Sequence, residues 1–175
     1  DPAPDSPMPY LNIFTLPTNG EVGGLPSGTE QYYSFDYANV HIVSLDSQVA
    51  IRDTDSRAAM LQWLQDDLMA NSQDWTIVIF HHPPYTKGSH DSDNEPDPRF
   101  KDMRSVFLPM LEKAGVDLVL AGHSHSYERS YLLSGHYGKS DTLKPGMILD
   151  HGSGAVKANG LGNAYDKKAN PHAEV

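Results

Sequence analysis

The sequence predicts an α/β fold with a mixed sheet and a βαβ unit, on three observations. Two short apolar runs, 75–80 and 116–121, lie about 40 residues apart and read as buried strands. Between them Met103, Val106, Phe107, Met110 and Leu111 recur at helical spacing. Upstream, two β-rich runs at 32–37 and 40–45 are separated only by Ala38 and Asn39, the spacing of a two-residue hairpin.

The elements follow in chain order. Residues 1–30 are rich in Pro, Gly, Asn and Thr and read as loop, with Leu11, Ile13, Phe14 and Leu16 as packing anchors. The hairpin comes next, its turn type open because Ala38 is poorly suited to the positive φ of a type I′ turn. Asp53 or Asp55 is placed to cap a helix whose face is Met60, Leu61, Leu64 and Leu68, with Trp63 on its flank. The strand at 75–80 is nearly continuous in apolar residues, as for a strand covered on both faces. A polar loop runs from His82 to about Pro98. The second helix follows, with Pro109 expected to end or bend it unless it lies near a terminus. Strand, helix and strand in that order make a parallel pair with a right-handed crossover. Residues 131–175 are glycine-rich, with one short strand around Met147 and Leu149 and a final 20 residues of loop or frayed tail.

Composition narrows the chemistry. The 175 residues are 38% hydrophobic with 14 glycines, enough for one domain with a core. No apolar stretch approaches the roughly 20 residues that span a bilayer, so no membrane partner is expected. Thirteen basic against 23 acidic residues leave a net charge of −10, which repels polyanions and argues against nucleic acid. A small phosphorylated substrate stays compatible, because bound cations reverse the field locally. Without cysteine, any metal site must use imidazole, carboxylate or amide ligands.

Both predicted strands end in histidine. The first runs into His81-His82-Pro83-Pro84 and the second into Gly122-His123-Ser124-His125. Open α/β sheets place ligands at the C-terminal ends of parallel strands, so the two clusters are expected to form one site. Residues i and i+2 of an extended segment share a face, which would project His123 and His125 together. That spacing suits two neighbouring metal ions about 3.5–4 Å apart, one histidine to each, with His81 completing an edge. His82 is expected to support the site from behind, donating to a carboxylate, or to be exposed, and His41 to pack or face solvent. His90, nine positions after His81, lies in the polar loop. No partner is evident for His136, His151 or His172.

The motifs Phe80-His81-His82-Pro83-Pro84-Tyr85 and Gly122-His123-Ser124-His125-Ser126-Tyr127-Glu128-Arg129-Ser130 resemble the last two metal-binding motifs of calcineurin-like metallophosphoesterases. The Tyr-Glu-Arg-Ser ending is similar to the purple-acid-phosphatase-like branch. So are Tyr32-Tyr33-Ser34-Phe35-Asp36-Tyr37, the following Val40-His41-Ile42-Val43-Ser44-Leu45-Asp46-Ser47, and Trp63-Leu64-Gln65-Asp66-Asp67-Leu68. The similarity covers roughly residues 30–138.

The resemblance implies a share in a four-layer α/β/β/α sandwich and hydrolysis of phosphate esters at two divalent or mixed-valence ions (Fe, Zn or Mn). It implies that His81 and His123 serve one ion and His125 its neighbour, with His90 binding phosphate or protonating the leaving group. Arg129 is expected to tie down its own loop, with orienting a phosphate oxygen as the alternative. A secreted or extracytoplasmic location is also implied. The family's earlier motifs (Asp-x-His or Asp-x-Gly, Gly-Asp, Gly-Asn-His) have no counterpart before residue 30. Three imidazoles cannot fill two sites of four to six ligands each. The chain 1–175 is therefore expected to be the C-terminal portion of one catalytic domain, inactive alone, whose partner is the N-terminal half. A non-catalytic metal-binding fragment and an interaction module are the alternatives.

Overall fold

A computed structural model describes residues 9–51 and 53–150; the expectations for residues 1–8, His151, His172 and the tail lie outside them. The hairpin forms as β1 (Tyr33–Tyr37) and β2 (Val40–Ser44), antiparallel, with Tyr37 opposite Val40 and Asp36 opposite His41. Ala38 adopts φ 53° while Asn39 stays out of the left-handed region, which excludes type I′, where both turn residues need positive φ.

Helix α1 (Thr54–Ala70) starts at Asp53, whose carboxylate accepts the Ser56 N–H at 2.7 Å. It buries Met60, Trp63, Leu64, Asp67 and Leu68. Strand β3 (Trp75–Phe80) then pairs parallel with β2, and β4 (Leu118–Ala121) parallel with β3. The four-stranded sheet has the order β1-β2-β3-β4, with one antiparallel and two parallel pairs, so it is mixed as expected.

The second helical region holds a π-helical turn. It comprises α2 (Pro98–Asp102), a π segment (Met103–Phe107) and α3 (Leu108–Lys113). Pro109 lacks an N–H and its ring crowds the carbonyl four residues back. Just before it the Leu108 N–H reaches Met103 O, five residues back, and this wider turn absorbs the proline without ending the helix. Met103, Phe107 and Leu111 stay on one buried stripe.

Both crossovers lay their helices on the same sheet face. Met60, Trp63, Leu64 and Leu68 from α1 join Met103, Phe107 and Leu111 against Val43, Val78 and Phe80 of the strands. The other face is the surprise. Its residues alternate with the buried ones and are themselves apolar, yet Ile79, Leu118 and Leu120 are 40%, 46% and 45% exposed. Strand β3 is thus covered on one face, not on both, because no described element lies over the second. Of a four-layer sandwich, the described residues supply one sheet and one helical layer. A separate two-stranded ribbon, β5 (Leu132–Leu133) with β6 (Ile148–Asp150), forms where the late strand was expected.

Beneath the covered face lies a charged cluster. Its centre is His41, buried, with Nδ1 2.7 Å from Asp36 Oδ1 and Nε2 2.9 Å from Asp67 Oδ2. Asp67 also accepts the Leu25 N–H at 2.7 Å and the Ser34 hydroxyl at 2.8 Å, tying the N-terminal loop and the hairpin to α1. Burial opposes charge on His41, but the hydrogen bonds and charges of Asp67 and Asp36 outweigh it and raise its pKa.

Candidate metal centre

The site is assembled where the parallel strands end. Phe80 pairs with Ala121, which sets His81 beside Gly122 and extends the ladder through a Gly122 N–H to His81 O bond of 3.0 Å. A Cβ at Gly122 would stand 3.4 Å from His81 Nδ1, so the glycine lets the His81 ring lie close over the backbone. The result is a close pair of imidazoles, with His81 Nε2 2.9 Å from His123 Nδ1 and the rings nearly perpendicular.

His82 completes a group of three. Its ring centre lies 4.9 Å from that of His81 and 4.8 Å from that of His123, and one nitrogen from each falls within 4.8 Å of the others. His82 is buried and held by Ser47, from the turn after β2. Ser47 Oγ accepts the His82 N–H at 3.1 Å and lies 2.7 Å from its Nδ1. Successive strands β2, β3 and β4 thus each deliver one part of the site. Of the two placements the sequence allows for His82, the interior one holds, with a hydroxyl as partner.

His90 arrives from the loop. Its ring centre is 4.4 Å from that of His123, and its Nδ1 sits 3.0 Å from Glu95 Oε2. Phe100, fully buried, floors the group, with its ring 5.3 Å from His123, 5.8 Å from His82 and 6.0 Å from His90.

His125 stands apart. It is exposed and outside the three-ring group. The segment 122–125 is not extended: His123 and His125 have φ of 66° and 48°, and the Ser124 N–H folds back on Gly122 O at 2.7 Å. The premise that i and i+2 share a face therefore fails here. Positive φ on a non-glycine residue costs about 1–2 kcal/mol and persists only where the surroundings enforce it, a pattern that clusters at functional sites.

Burial, then the charges of Arg99, His81 and His123, push His82 down to about 4. Burial, then His90 and His81, lowers His123 as well. Imidazoles that resist protonation keep a lone pair available, as ligands must. Two nitrogens bound at about 2.0–2.1 Å to one ion, at angles near 90–110°, are roughly 2.9–3.4 Å apart. The His81–His123 spacing fits that requirement.

Elsewhere, His136 is buried against Tyr85, rings stacked at 5.5 Å, its carbonyl accepting the Tyr85 hydroxyl. Arg129 is exposed and lines a separate cleft of about 390 Å³ with Tyr85, Glu112 and His136. Sequence reasoning missed Ser47 as the partner of His82, and Phe100. Only the apolar spacing of Phe100 from Met103 and Phe107 hinted at its burial.

The calcineurin-like phosphoesterase profile matches residues 3–127. The chain belongs to that family. Purple acid phosphatase 22 of Arabidopsis thaliana is 34% identical over 152 residues, covering 85% of this chain and 32% of that protein. Purple acid phosphatase 18 of the same plant is 35% identical over 142 residues, covering 79% and 30%. The purple acid phosphatase PPD1 structure from yellow lupin seeds superposes with a TM-score of 0.51 at 19% identity, over 73% of this chain and 21% of that one. That likeness shows the fold. The chain spans about a third of the length of the curated relatives it matches.

Proposed function

We propose that this chain is the C-terminal portion of a phosphoester-hydrolase domain, in which His81, His123 and His125 are part of the ligand set for two metal ions. The observation that carries the reading is the 2.9 Å approach of His81 Nε2 to His123 Nδ1 across adjacent strand ends. A divalent ion bound there supplies Lewis acidity toward a phosphoryl oxygen and lowers the pKa of water. Phe100 keeps one side of the site dry, and Ser47 holds His82 as a neutral wall behind the pair.

His90 is the proposed acid. With its Nδ1 bonded to Glu95, Nε2 is the atom left to meet a phosphate or leaving-group oxygen and to hold the proton it needs. His125, on its left-handed turn, is the proposed ligand to the second ion. Three imidazoles leave most positions of two ions unfilled, so the remaining ligands belong to an N-terminal half. The sheet face that no described element covers supports that division. A shallow depression lined by Ile79, Phe80, Leu120 and Ala121 runs from it up to His81, where a second layer would bring those ligands. The net charge of −10 favours a small phosphorylated substrate over a polyanion. Resemblance to the family favours a parent protein that is secreted or extracytoplasmic.

Turnover of 4-nitrophenyl phosphate by the full-length protein containing this chain tests the reading. Substituting His123→Ala is expected to lower kcat at least about 10³-fold, in line with loss of metal activation of a nucleophile. Activity unchanged in that variant overturns the assignment.

A further inference from the structure

We infer that Glu128 is a positioning residue whose carboxylate fastens the loop bearing His90 to the loop bearing His123 and His125. The inference rests on the metal-site reading above and adds what holds its parts in register. Residues 82–97 form no helix or strand, so nothing in regular structure fixes where His90 stands relative to His123. The fixing is done by a seam of polar contacts.

Glu128 reaches across from the far side of the His123–His125 turn. Its Oε1 accepts the Lys87 N–H at 2.7 Å, while its Oε2 accepts the Thr86 hydroxyl and the Ser126 hydroxyl, the latter at 3.2 Å. Next to it, Thr86 Oγ1 lies 2.6 Å from Ser124 Oγ, and Ser89 gives both its N–H (3.3 Å) and its hydroxyl (2.7 Å) to the Ser124 carbonyl. Ser124 lies between the two histidines with positive φ. A carboxylate suits the task because one group accepts from a backbone N–H and from hydroxyls at once, and charged acceptors make the stronger bonds. Gly88 completes the seam. A Cβ there would lie 2.6 Å from Ser124 Oγ and closer still to Ser126 Oγ, so only a bare backbone lets the loops approach this far.

The seam accounts for the strained turn. His123 and His125 hold left-handed backbone that must be enforced from outside, and Glu128 through Ser126 and Ser89 through the Ser124 carbonyl supply that enforcement. Glu128 touches neither metal nor substrate in this scheme; it acts through the loops.

The test compares Glu128→Ala, Glu128→Gln and Gly88→Ala in the full-length protein containing this chain, by amide hydrogen exchange and, after metal removal, by zinc titration calorimetry. Gly88→Ala parts the loops with Glu128 intact, so it stands in should Glu128→Ala fail to fold. Exchange at Lys87 and Ser89 is expected to rise at least about 10-fold in Glu128→Ala and Gly88→Ala, while amides of β3 and β4 stay protected. Zinc affinity is expected to fall about 10-fold or more in those two, the effect of losing an outer support of a metal ligand. Glu128→Gln keeps a carbonyl acceptor for the Lys87 N–H and offers its amide N–H to the Thr86 hydroxyl oxygen with that bond reversed, so it is expected to retain affinity within about 3-fold. Unchanged exchange at Lys87 and Ser89 overturns the fastening itself. Faster exchange with unchanged zinc affinity overturns the positioning role. Wild-type full-length protein that binds no zinc overturns the metal reading and this role with it, whatever the exchange shows.

Discussion

Replacing His41 by alanine removes the centre of the Asp36–His41–Asp67 cluster, and its cost follows from what remains. Both ring nitrogens face carboxylate oxygens; with both carboxylates ionised each nitrogen donates and the ring is an imidazolium, the form that its raised pKa favours. Breaking a buried charge pair by deleting one partner costs about 3–5 kcal/mol, because the other charge stays buried and uncompensated. Here Asp67 keeps the Leu25 N–H and the Ser34 hydroxyl, and Asp36 keeps the Gln73 amide at 2.9 Å. Those contacts put the loss at the low end, about 3 kcal/mol, or roughly 6–12 °C in Tm for a domain of this size. The folded pKa of His41 is raised, so its contribution is complete below the unfolded imidazole value of about 6.5 and is lost as pH rises through the folded pKa. Urea unfolding of wild type and His41→Ala at pH 6 and pH 9 reads both effects. The gap is expected to be large at pH 6 and smaller at pH 9. A gap under about 1 kcal/mol at pH 6, or one that widens toward pH 9, refutes the buried-imidazolium reasoning.

Three further outcomes are expected. In the full-length protein, His90→Ala should lower kcat by about 10²–10⁴-fold with metal content unchanged, as measured by steady-state kinetics and elemental analysis. In the metal-free chain, the His123 ring should titrate below the ordinary imidazole value when followed by NMR, so acid strips metal later than an unperturbed histidine pair would allow. Substituting both Ile79→Lys and Leu120→Lys on the bare sheet face should reduce self-association in ultracentrifugation while leaving Tm nearly unchanged; a large loss of Tm would mean that face is covered.

Much of this architecture was legible in the residues. The apolar runs gave β3 and β4, and the two-residue gap between β1 and β2 fixed their register. That register alone places Asp36 opposite His41, so half of the charged cluster was written in the hairpin. Asp67 was not, because its approach depends on how α1 crosses the sheet. The juxtaposition of His81 and His123 followed from two strand ends in one parallel pair. The posture of His125 did not, since positive φ on a histidine opposes the residue's own preference and arises only from its neighbours. Likewise, apolar composition made β3 look covered on both faces. Sequence hydrophobicity records what a face is built to meet, and the described residues supply only one of its two covers. Pro109 was read as a stop or bend, whereas the π turn before it is a tertiary accommodation.

The most direct test is X-ray absorption at the zinc edge on the zinc-loaded chain. The account predicts at least two imidazole nitrogens at about 2.0–2.1 Å, with the imidazole scattering reduced in His81→Ala and His123→Ala. A shell of oxygen alone, or the same imidazole signal in both variants, contradicts it.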